Sequence, residues 1–309
     1  MLNNLATSNI LSKPALPALF VVLIWGFNVV FMKIGLTDMS PLLYTGMRFT
    51  LLSLLLLPFL RIPRELLRQV IVIALVMGIG HFCLLSIGIS YVDSVVAGLI
   101  LLLGAPLSSL LAFIFLNERL RLLQILAVVI AGFGATVPTL LQESIDIKAG
   151  ALLILFCVLM WALGNLQIRK LSSLPILTLQ FWIGFISAPL CFLAYWLNPD
   201  DRSIADQLTT ESILSLLYVV SCSSILGYAI WYQLINRHGI NSVVNYILLQ
   251  PVITLIAGYW LLAELMTELQ MIGAAVTLLS MWGFYQVGKT GSLNKIKNPS
   301  DSQITKKVL

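Results

Sequence analysis

Residues 94–117 read SVVAGLILLLGAPLSSLLAFIFLN, a stretch without a single charged residue. A helix crosses the hydrocarbon core of a bilayer with about 20 apolar residues, since each residue adds roughly 1.5 Å. The stretch is long enough to cross, and its composition suits hydrocarbon. It therefore predicts a transmembrane helix.

The same pattern recurs along the chain. Ten apolar runs separated by short polar joints are found, and only the second contains a charge, Arg48: residues 14–32, 40–60, 69–92, 94–117, 122–142, 149–168, 171–199, 212–236, 239–263 and 269–288. With 59% hydrophobic and 10% charged residues, the chain lies far from the roughly 25% charged residues of soluble domains. No alternation typical of a membrane β-barrel occurs. We predict an all-α integral membrane protein with ten helices.

Orientation follows from the Lys and Arg residues in the short loops. If the N-terminus is cytoplasmic, fourteen of the 18 basic residues lie in cytoplasmic segments, whereas the outer loops hold only Lys148 and Arg202. Both termini are therefore expected in the cytoplasm, with the polar segment 289–309 as a disordered tail. The net charge of +5 follows from this loop bias, so it indicates no nucleic-acid partner.

The two halves of the sequence share an internal repeat, about 146 residues apart. Ser94 to Val96, Pro106 and Glu118 recur as Ser242 to Val244, Pro251 and Glu264. The predicted repeats are residues 1–141 and 149–288, with five helices each. An odd number of helices inverts the second repeat relative to the first. Inverted repeats are a recurring design of secondary transporters, whose substrate site lies near the midplane between the repeats.

Polar residues inside the predicted helices are candidates for that site, because polar groups in hydrocarbon are costly unless they are satisfied. Trp25 and Asn28 are three residues apart in helix 1, and Trp161 and Asn165 are four apart in helix 6, so each pair shares a helix face. Interhelical hydrogen bonding and substrate contact are both open for these amides. The same alternatives hold for His81, the only histidine inside a predicted helix.

The last third of the chain adds further candidates. Tyr228 lies deep in helix 8, and Asn245 and Gln250 lie in helix 9, its most polar neighbour. Pro251 and its repeat counterpart Pro106 predict kinks at matching places in helices 9 and 4, where a cavity or gate could form. The predicted substrate-binding set is Trp25, Asn28, His81, Trp161, Asn165, Tyr228, Asn245 and Gln250.

Three charged residues are interpreted as structural: Arg48, Glu118 and Glu264. Arg48 lies roughly 10 Å into helix 2, seven residues after Pro41, and there it must snorkel, pair or face water. Attraction of an anion is the alternative that remains open for it.

Chemistry other than transport finds little support in the sequence. Residues 283–290, GFYQVGKT, match the phosphate-loop pattern. A phosphate loop needs a preceding strand and a following helix, whereas here the first glycine lies inside the last predicted membrane helix and a polar tail follows. We therefore interpret the match as coincidence. HExxH and CxxC pairs and a GxSxG elbow are absent, so no enzyme activity, cofactor or metal is expected. The four cysteines lie inside apolar runs and show no paired spacing.

The residues resemble the EamA family of the drug/metabolite transporter superfamily. The resemblance covers residues 15–288 and rests on Trp25-Gly26-Phe27-Asn28, Gly46-Met47-Arg48-Phe49, the region of Glu118, Trp161 to Asn165, and Gly227-Tyr228. Within that family the chain is most similar to O-acetylserine/cysteine exporters. The resemblance implies a bacterial inner-membrane exporter of small metabolites such as amino acids, with a cavity between helices 1, 3, 4, 6, 8 and 9. A metabolite importer or exchanger is the alternative, and a homodimer is left open.

Overall fold

The computed structural model describes residues 14–116, 120–171, 174–198, 200–238 and 244–297. This part of the chain is helical, without a strand. Eight of its helices are long and apolar enough to cross a membrane. The helices Pro41–Leu55 and Tyr246–Leu262 are shorter, so the number of ten crossings and the inverted repeat stay predictions.

We label the helical segments α1 to α10 in chain order. The uninterrupted ones are α1 (Ala15–Asp38), α2 (Pro41–Leu55), α5 (Leu122–Leu140), α6 (Ile145–Lys170), α7 (Ile176–Leu197) and α10 (Glu268–Lys297). The composite ones are α3 (Leu67–Ala74, Leu75–Cys83, Leu84–Tyr91), α4 (Ser94–Leu101, Gly104–Leu116), α8 (Thr210–Tyr218, Val219–Gly227, Tyr228–His238) and α9 (Val244–Leu249, Gln250–Leu262).

Local sequence explains several helix ends. Pro41 occupies the start of α2, where its missing N–H would have no partner in the helix anyway. Ser144 and Thr209 cap α6 and α8 by accepting hydrogen bonds from the backbone N–H groups of Ile147 and Ser212. Helix α10 continues past Gly288 to Lys297, so it includes the first part of the segment predicted as a tail.

Irregular backbone occurs at corresponding places in the two halves. The middle pieces of α3 and α8, Leu75–Cys83 and Val219–Gly227, are both π-helical. Helix α4 breaks after Leu101, and Pro106 lies in the first turn of its second piece. Pro251 likewise lies in the first turn of the main piece of α9. A proline is tolerated in the first turn of a helix, and in both cases a regular α-helical piece begins just before the proline.

The helices form a bundle with an apolar outer surface. The most extensive pairings join α5 with α10 and α2 with α7, while α1 packs on α8 and α9, and α6 packs on α3 and α4. Large apolar side chains such as Ile145, Trp196 and Leu279 remain mostly exposed around the bundle. Exposure on this scale suits contact with lipid rather than with water.

Polar contacts gather where α1 ends, at what we call the Asp38 end: residues 33–40, 89–94, 200–209 and 264. Arg202 Nη1 donates to the carbonyl oxygen of Asp38 at 2.7 Å, and Thr209 Oγ1 donates to the Asp38 carboxylate at 2.7 Å. The backbone N–H of Ser40 donates to Gln207 Oε1 at 2.8 Å. The loop between α7 and α8 is thus tied to the loop between α1 and α2.

Candidate functional site

A cavity of about 120 Å³ lies inside the bundle. Its walls come from α1, α2, α3, α4, α6, α8 and α9: Trp25, Asn28, Val29, Arg48, His81, Phe82, Leu85, Leu101, Leu102, Gly104, Val158, Trp161, Ser223, Tyr228, Ile247 and Gln250. An engineered cavity of roughly 150 Å³ holds a benzene molecule, so this one suits a similarly small solute. Six of the contributing helices are those expected from the resemblance, and α2 adds Arg48.

One wall is aromatic. The ring of Trp25 lies 5.2 Å from the ring of Tyr228 and 5.2 Å from that of Trp231, measured between centroids. Trp25 Nε1 also points to the carbonyl oxygen of Ser223 at 3.5 Å. Across the cavity, Trp161 hydrogen-bonds to Tyr228; the indole N–H donates to the phenol oxygen because indole has no acceptor. These contacts join four large rings of α1, α6 and α8.

Asn28 faces the cavity from α1 with a half-satisfied amide. Its Nδ2 group donates to the sulfur of Met32, one turn further along, at 3.6 Å. Its Oδ1 atom is buried and has no hydrogen-bond partner. A buried amide oxygen without a donor is costly, so it is a group ready to accept a hydrogen bond from a solute.

His81 lies in the π-helical piece of α3 and is 5% exposed. Its Nδ1 atom is 3.0 Å from the carbonyl oxygen of Cys157 in α6. A carbonyl only accepts, so Nδ1 carries the proton, and Nε2 of the neutral ring is an acceptor. The contact ties α3 to α6 and fixes the orientation of the imidazole ring.

Arg48 brings a guanidinium to the cavity wall from α2, although it is only 2% exposed. Nη2 donates to Ser224 Oγ at 3.1 Å, and Nη1 faces the sulfur of Met32 at 3.9 Å. The guanidinium carbon lies 4.4 Å from the centre of the Phe82 ring, within the range of a cation–π contact. The structure therefore places Arg48 inside the bundle, with neutral neighbours.

Of the predicted substrate-binding residues, six line this cavity: Trp25, Asn28, His81, Trp161, Tyr228 and Gln250. Asn165 lies one turn beyond Trp161, half-buried, and is not among the lining residues. The side chain of Asn245 lies outside the described part of the structure, as does all of Glu118. The roles of these residues stay predictions.

Glu264 lies at the Asp38 end rather than in the cavity. Its carboxylate accepts from the backbone N–H of Ser94 at 2.9 Å and from Ser94 Oγ at 2.6 Å. It thus caps the N-terminus of α4, where a negative charge is favourable. Nearby, Lys33 Nζ donates to the carbonyl oxygens of Val92 and Ile89 at 2.7 and 2.9 Å, at the C-terminal end of α3.

Several residues around the cavity were not singled out by the sequence analysis. Phe82 is an apolar residue inside an apolar run, where composition gives no signal for it. Met32 is fully buried and contacts both Asn28 and Arg48 through its sulfur. One signal was available: Met32 lies four residues after Asn28, on the same face of α1.

An apolar helical bundle around a small polar and aromatic cavity defines a multi-pass membrane protein of the transporter class. The sequence profile of the EamA-like transporter family matches the chain twice, at residues 12–139 and 148–286. The chain belongs to this family, and it is a transporter rather than an enzyme.

Relatives with a more specific description are similar over most of the chain. A probable amino-acid metabolite efflux pump of Escherichia coli (strain K12) is 31% identical, with 88% of this chain and 94% of the relative covered. A protein of the same description from Salmonella typhimurium is 30% identical, with 87% and 94% covered. A solved crystal structure has a TM-score of 0.62 at 15% identity, covering 90% of this chain and 99% of the other, and so shares the fold.

Proposed function

We propose that the protein is a secondary transporter that exports small metabolites, amino acids or their derivatives, across the inner membrane of a bacterium. The observation that carries the proposal is the cavity, in which rings, an amide and a guanidinium face a space suited to a small solute. The descriptions of the two bacterial relatives support amino-acid metabolites as cargo and efflux as the direction. Under the proposed orientation both termini are cytoplasmic and the Asp38 end is periplasmic.

Two inverted five-helix repeats, residues 1–141 and 149–288, provide the moving parts in this proposal. Exchanging each helix with the one five positions later preserves the most extensive pairings: α1 with α8 and α9 becomes α6 with α3 and α4, whereas α5 with α10 and α2 with α7 map onto themselves. The π-helical pieces of α3 and α8 also correspond. Such two-fold relations support a carrier that alternates between two related conformations.

The Asp38 end supplies contacts that must open for release into the periplasm. There, Ser94 of the first half bonds to Glu264 of the second. Closer to the cavity, Thr254 Oγ1 of α9 donates to the carbonyl oxygen of Gly26 in α1 at 3.0 Å. A Cβ atom added at Gly26 would lie 2.5 Å from Ile253, so the two helices approach closely there. Alternating access would separate these helices at this end while joining them at the other.

The energy source in the proposal is exchange or a solute gradient. Among the described residues that line the cavity none is an Asp or Glu, so none of them offers a carboxylate to carry a coupled proton. A solute could move down its own gradient or against another solute of the same kind.

Counterflow in proteoliposomes tests the proposal, with labelled cysteine, serine and threonine as probes. We expect saturable flux that falls about tenfold in Trp161→Ala, because a buried aromatic contact is worth up to roughly 1.5 kcal/mol. Trp196→Ala is the matched control, since Trp196 is 75% exposed on the outer surface, and its flux should stay near that of the wild type. Equal flux in both variants would remove the cavity from the transport path.

Direction is measured separately, with right-side-out and inside-out membrane vesicles at equal protein content. Export predicts that, at the same saturating outside concentration, inside-out vesicles take up the labelled amino acid at a higher initial rate than right-side-out vesicles. Net uptake by right-side-out vesicles at physiological concentrations would instead identify an importer.

A further inference from the structure

Arg48 is a buried cation that lacks a counter-ion among the residues the structure describes. No carboxylate of the described residues forms an ion pair with it, and its neighbours are Ser224, Met32 and the rings of Phe82 and Phe49. Removing a charge from water costs several kcal/mol unless a partner of opposite charge and good geometry compensates. A neutral hydroxyl, a sulfur and a ring compensate only partly.

The hydrogen-bonding capacity of this guanidinium is also largely unused. Its Nε atom is buried without a partner, and Nη1 has only the weak sulfur acceptor of Met32. A purely structural arginine would be expected to use its five N–H donors on backbone carbonyls or a carboxylate, as Lys33 does with the carbonyl oxygens at the end of α3. Arg48 instead lies on the wall of the cavity with donors to spare.

A complementary group lies beside it. Asn28 Oδ1 is a buried acceptor without a donor, and it lines the same cavity. The amide nitrogen of Asn28 lies 3.6 Å from the sulfur of Met32, and Nη1 of Arg48 lies 3.9 Å from the same atom. The side chains of Asn28 and Arg48 are therefore close neighbours. One small space thus holds an unpaired cationic donor and an unpaired neutral acceptor.

We propose that the Arg48 guanidinium binds the carboxylate of a transported α-amino acid, and that Asn28 Oδ1 accepts a hydrogen bond from its ammonium group. Guanidinium and carboxylate match each other in charge and in the geometry of their hydrogen bonds. Trp25 and Tyr228 line the same cavity and present ring surfaces that attract a cation such as the ammonium group. The solute is then the counter-ion that Arg48 otherwise lacks. This assignment rests on the proposed function and names the substrate class of the same cavity.

Competition on the wild-type protein is the first test, because it needs no variant to fold. The labelled amino acid with the largest counterflow among cysteine, serine and threonine is competed with four compounds: itself, its carboxamide, the amine without its carboxyl group, and the acid without its amino group. Loss of a buried charged hydrogen bond predicts that the carboxamide and the amine compete at least about thirtyfold less well. The acid without an amino group should lose less, because a neutral acceptor contributes less than an ion pair.

Variants then assign the two groups. In Arg48→Gln the amino acid and its carboxamide should compete almost equally well, so the ratio of their competing potencies falls to near one. Arg48→Lys keeps the charge and should retain part of that ratio. Asn28→Leu should still discriminate between the amino acid and its carboxamide. It should no longer discriminate between the amino acid and the acid without an amino group. A merely structural Arg48 would change the amount of folded protein, measured by size-exclusion chromatography, without changing these ratios.

The outcomes separate the two proposals. Amino-acid exchange with equal competition by the carboxamide would overturn the role of Arg48 and leave the transport function standing, as would full discrimination in Arg48→Gln. Absence of exchange with any amino acid, in protein that is folded by size-exclusion chromatography, would overturn both.

Discussion

Arg48 and Arg202 show how differently the cavity and the Asp38 end treat the same side chain. Arg202 is half-exposed in the loop before α8, and its Nη2 atom forms an ion pair with Asp200 at 2.8 Å while Nη1 donates to the carbonyl of Asp38. Arg48 is buried, faces no carboxylate of the described residues, and has an Nε atom without a partner. The arginine in water is paired, and the arginine in the low-dielectric interior is not.

The difference is the reverse of what stability alone would favour. An unpaired charge costs least in water and most inside a bundle. At the Asp38 end, Asp38, Glu264, Lys33 and Gln207 all make hydrogen bonds at 3.0 Å or less. Buried atoms without a partner also occur elsewhere in the described part of the chain, as at Ser40 Oγ of the Asp38 end, but they belong to neutral side chains. At the cavity, the unused donors of a charged side chain, Arg48, lie beside the unsatisfied oxygen of Asn28, which is the pattern expected of a site rather than of a scaffold.

Supplying Arg48 with an internal partner should have the largest effect. Ser224 Oγ lies 3.1 Å from Nη2, so Ser224→Asp places a carboxylate against the guanidinium. We expect amino-acid counterflow to fall by more than about thirtyfold, since a built-in ion pair competes with the carboxylate of the solute. The thermal unfolding midpoint in detergent should stay equal or rise, because the buried cation gains a counter-ion.

Ser224→Asn is the matched control, since it has nearly the same size as aspartate and no charge. Its flux should fall much less than that of Ser224→Asp. Equal loss in the two variants would attribute the effect to crowding beside the π-helical piece of α8, and the contrast between the two arginines would lose its functional meaning.

A smaller effect is expected at the Asp38 end, from Glu264→Gln. The variant keeps one acceptor for Ser94 but removes the negative charge from the N-terminus of α4. A cap of this kind is worth about 1 kcal/mol, and a charged acceptor adds to it. We expect a lower thermal unfolding midpoint with amino-acid selectivity unchanged, so stability and selectivity respond at opposite regions of the molecule.

Glu268→Gln controls for the loss of a charge nearby. Glu268 is exposed in the first turn of α10, where its negative charge at the helix N-terminus is worth about 0.3–1 kcal/mol, so the comparison separates the hydrogen bonds of Glu264 from the effect of the charge alone. If the two glutamate variants unfold at the same temperature, the bond between Glu264 and Ser94 does not stabilise the bundle.

The class of fold followed from the sequence because charge-free runs leave few alternatives to membrane helices. Six of the eight predicted binding residues lie around one cavity for a related reason: polar side chains in hydrocarbon are costly, so they gather where they can share partners or water. The environment of Arg48 was beyond sequence reasoning. An arginine that snorkels, one that is paired and one that faces a cavity can all occupy the same position in an apolar helix. Only the three-dimensional positions of Met32, Phe82 and Ser224 distinguish these alternatives for Arg48.

The π-helical pieces of α3 and α8 also escaped prediction. A π turn leaves the apolar pattern of a membrane helix almost unchanged, because all faces of such a helix are apolar. Regular α-helix begins just before Pro106 and Pro251, where the sequence predicted kinks because proline alters the backbone whatever surrounds it; the kinks themselves stay predictions. Asn165 shows the limit of reasoning from pairs of residues: it shares a helix face with Trp161, yet it lies a turn away from the cavity wall.

The smallest effect is expected for the ion pair of Arg202, through its pH dependence. The Arg202 guanidinium lowers the pKa of the Asp200 carboxyl to about 2, mainly through their hydrogen bond. Because the folded-state pKa is below the usual value of about 3.9, the pair stabilises the fold fully above pH 4, and this contribution is lost as the pH falls through about 2. Asp200→Asn should therefore lower the thermal unfolding midpoint slightly at pH 6, by less than Glu264→Gln does. The difference from the wild type should shrink as the pH falls from 4 to 2.

The pair is exposed to solvent, so salt should reduce the difference as well. Asp201→Asn, one residue along in the same loop, is the control for the loss of a loop carboxylate. A difference between wild type and Asp200→Asn that is independent of pH and salt would mean that Asp200 acts through loop packing, and Arg202 would then no longer serve as the paired counterpart of Arg48.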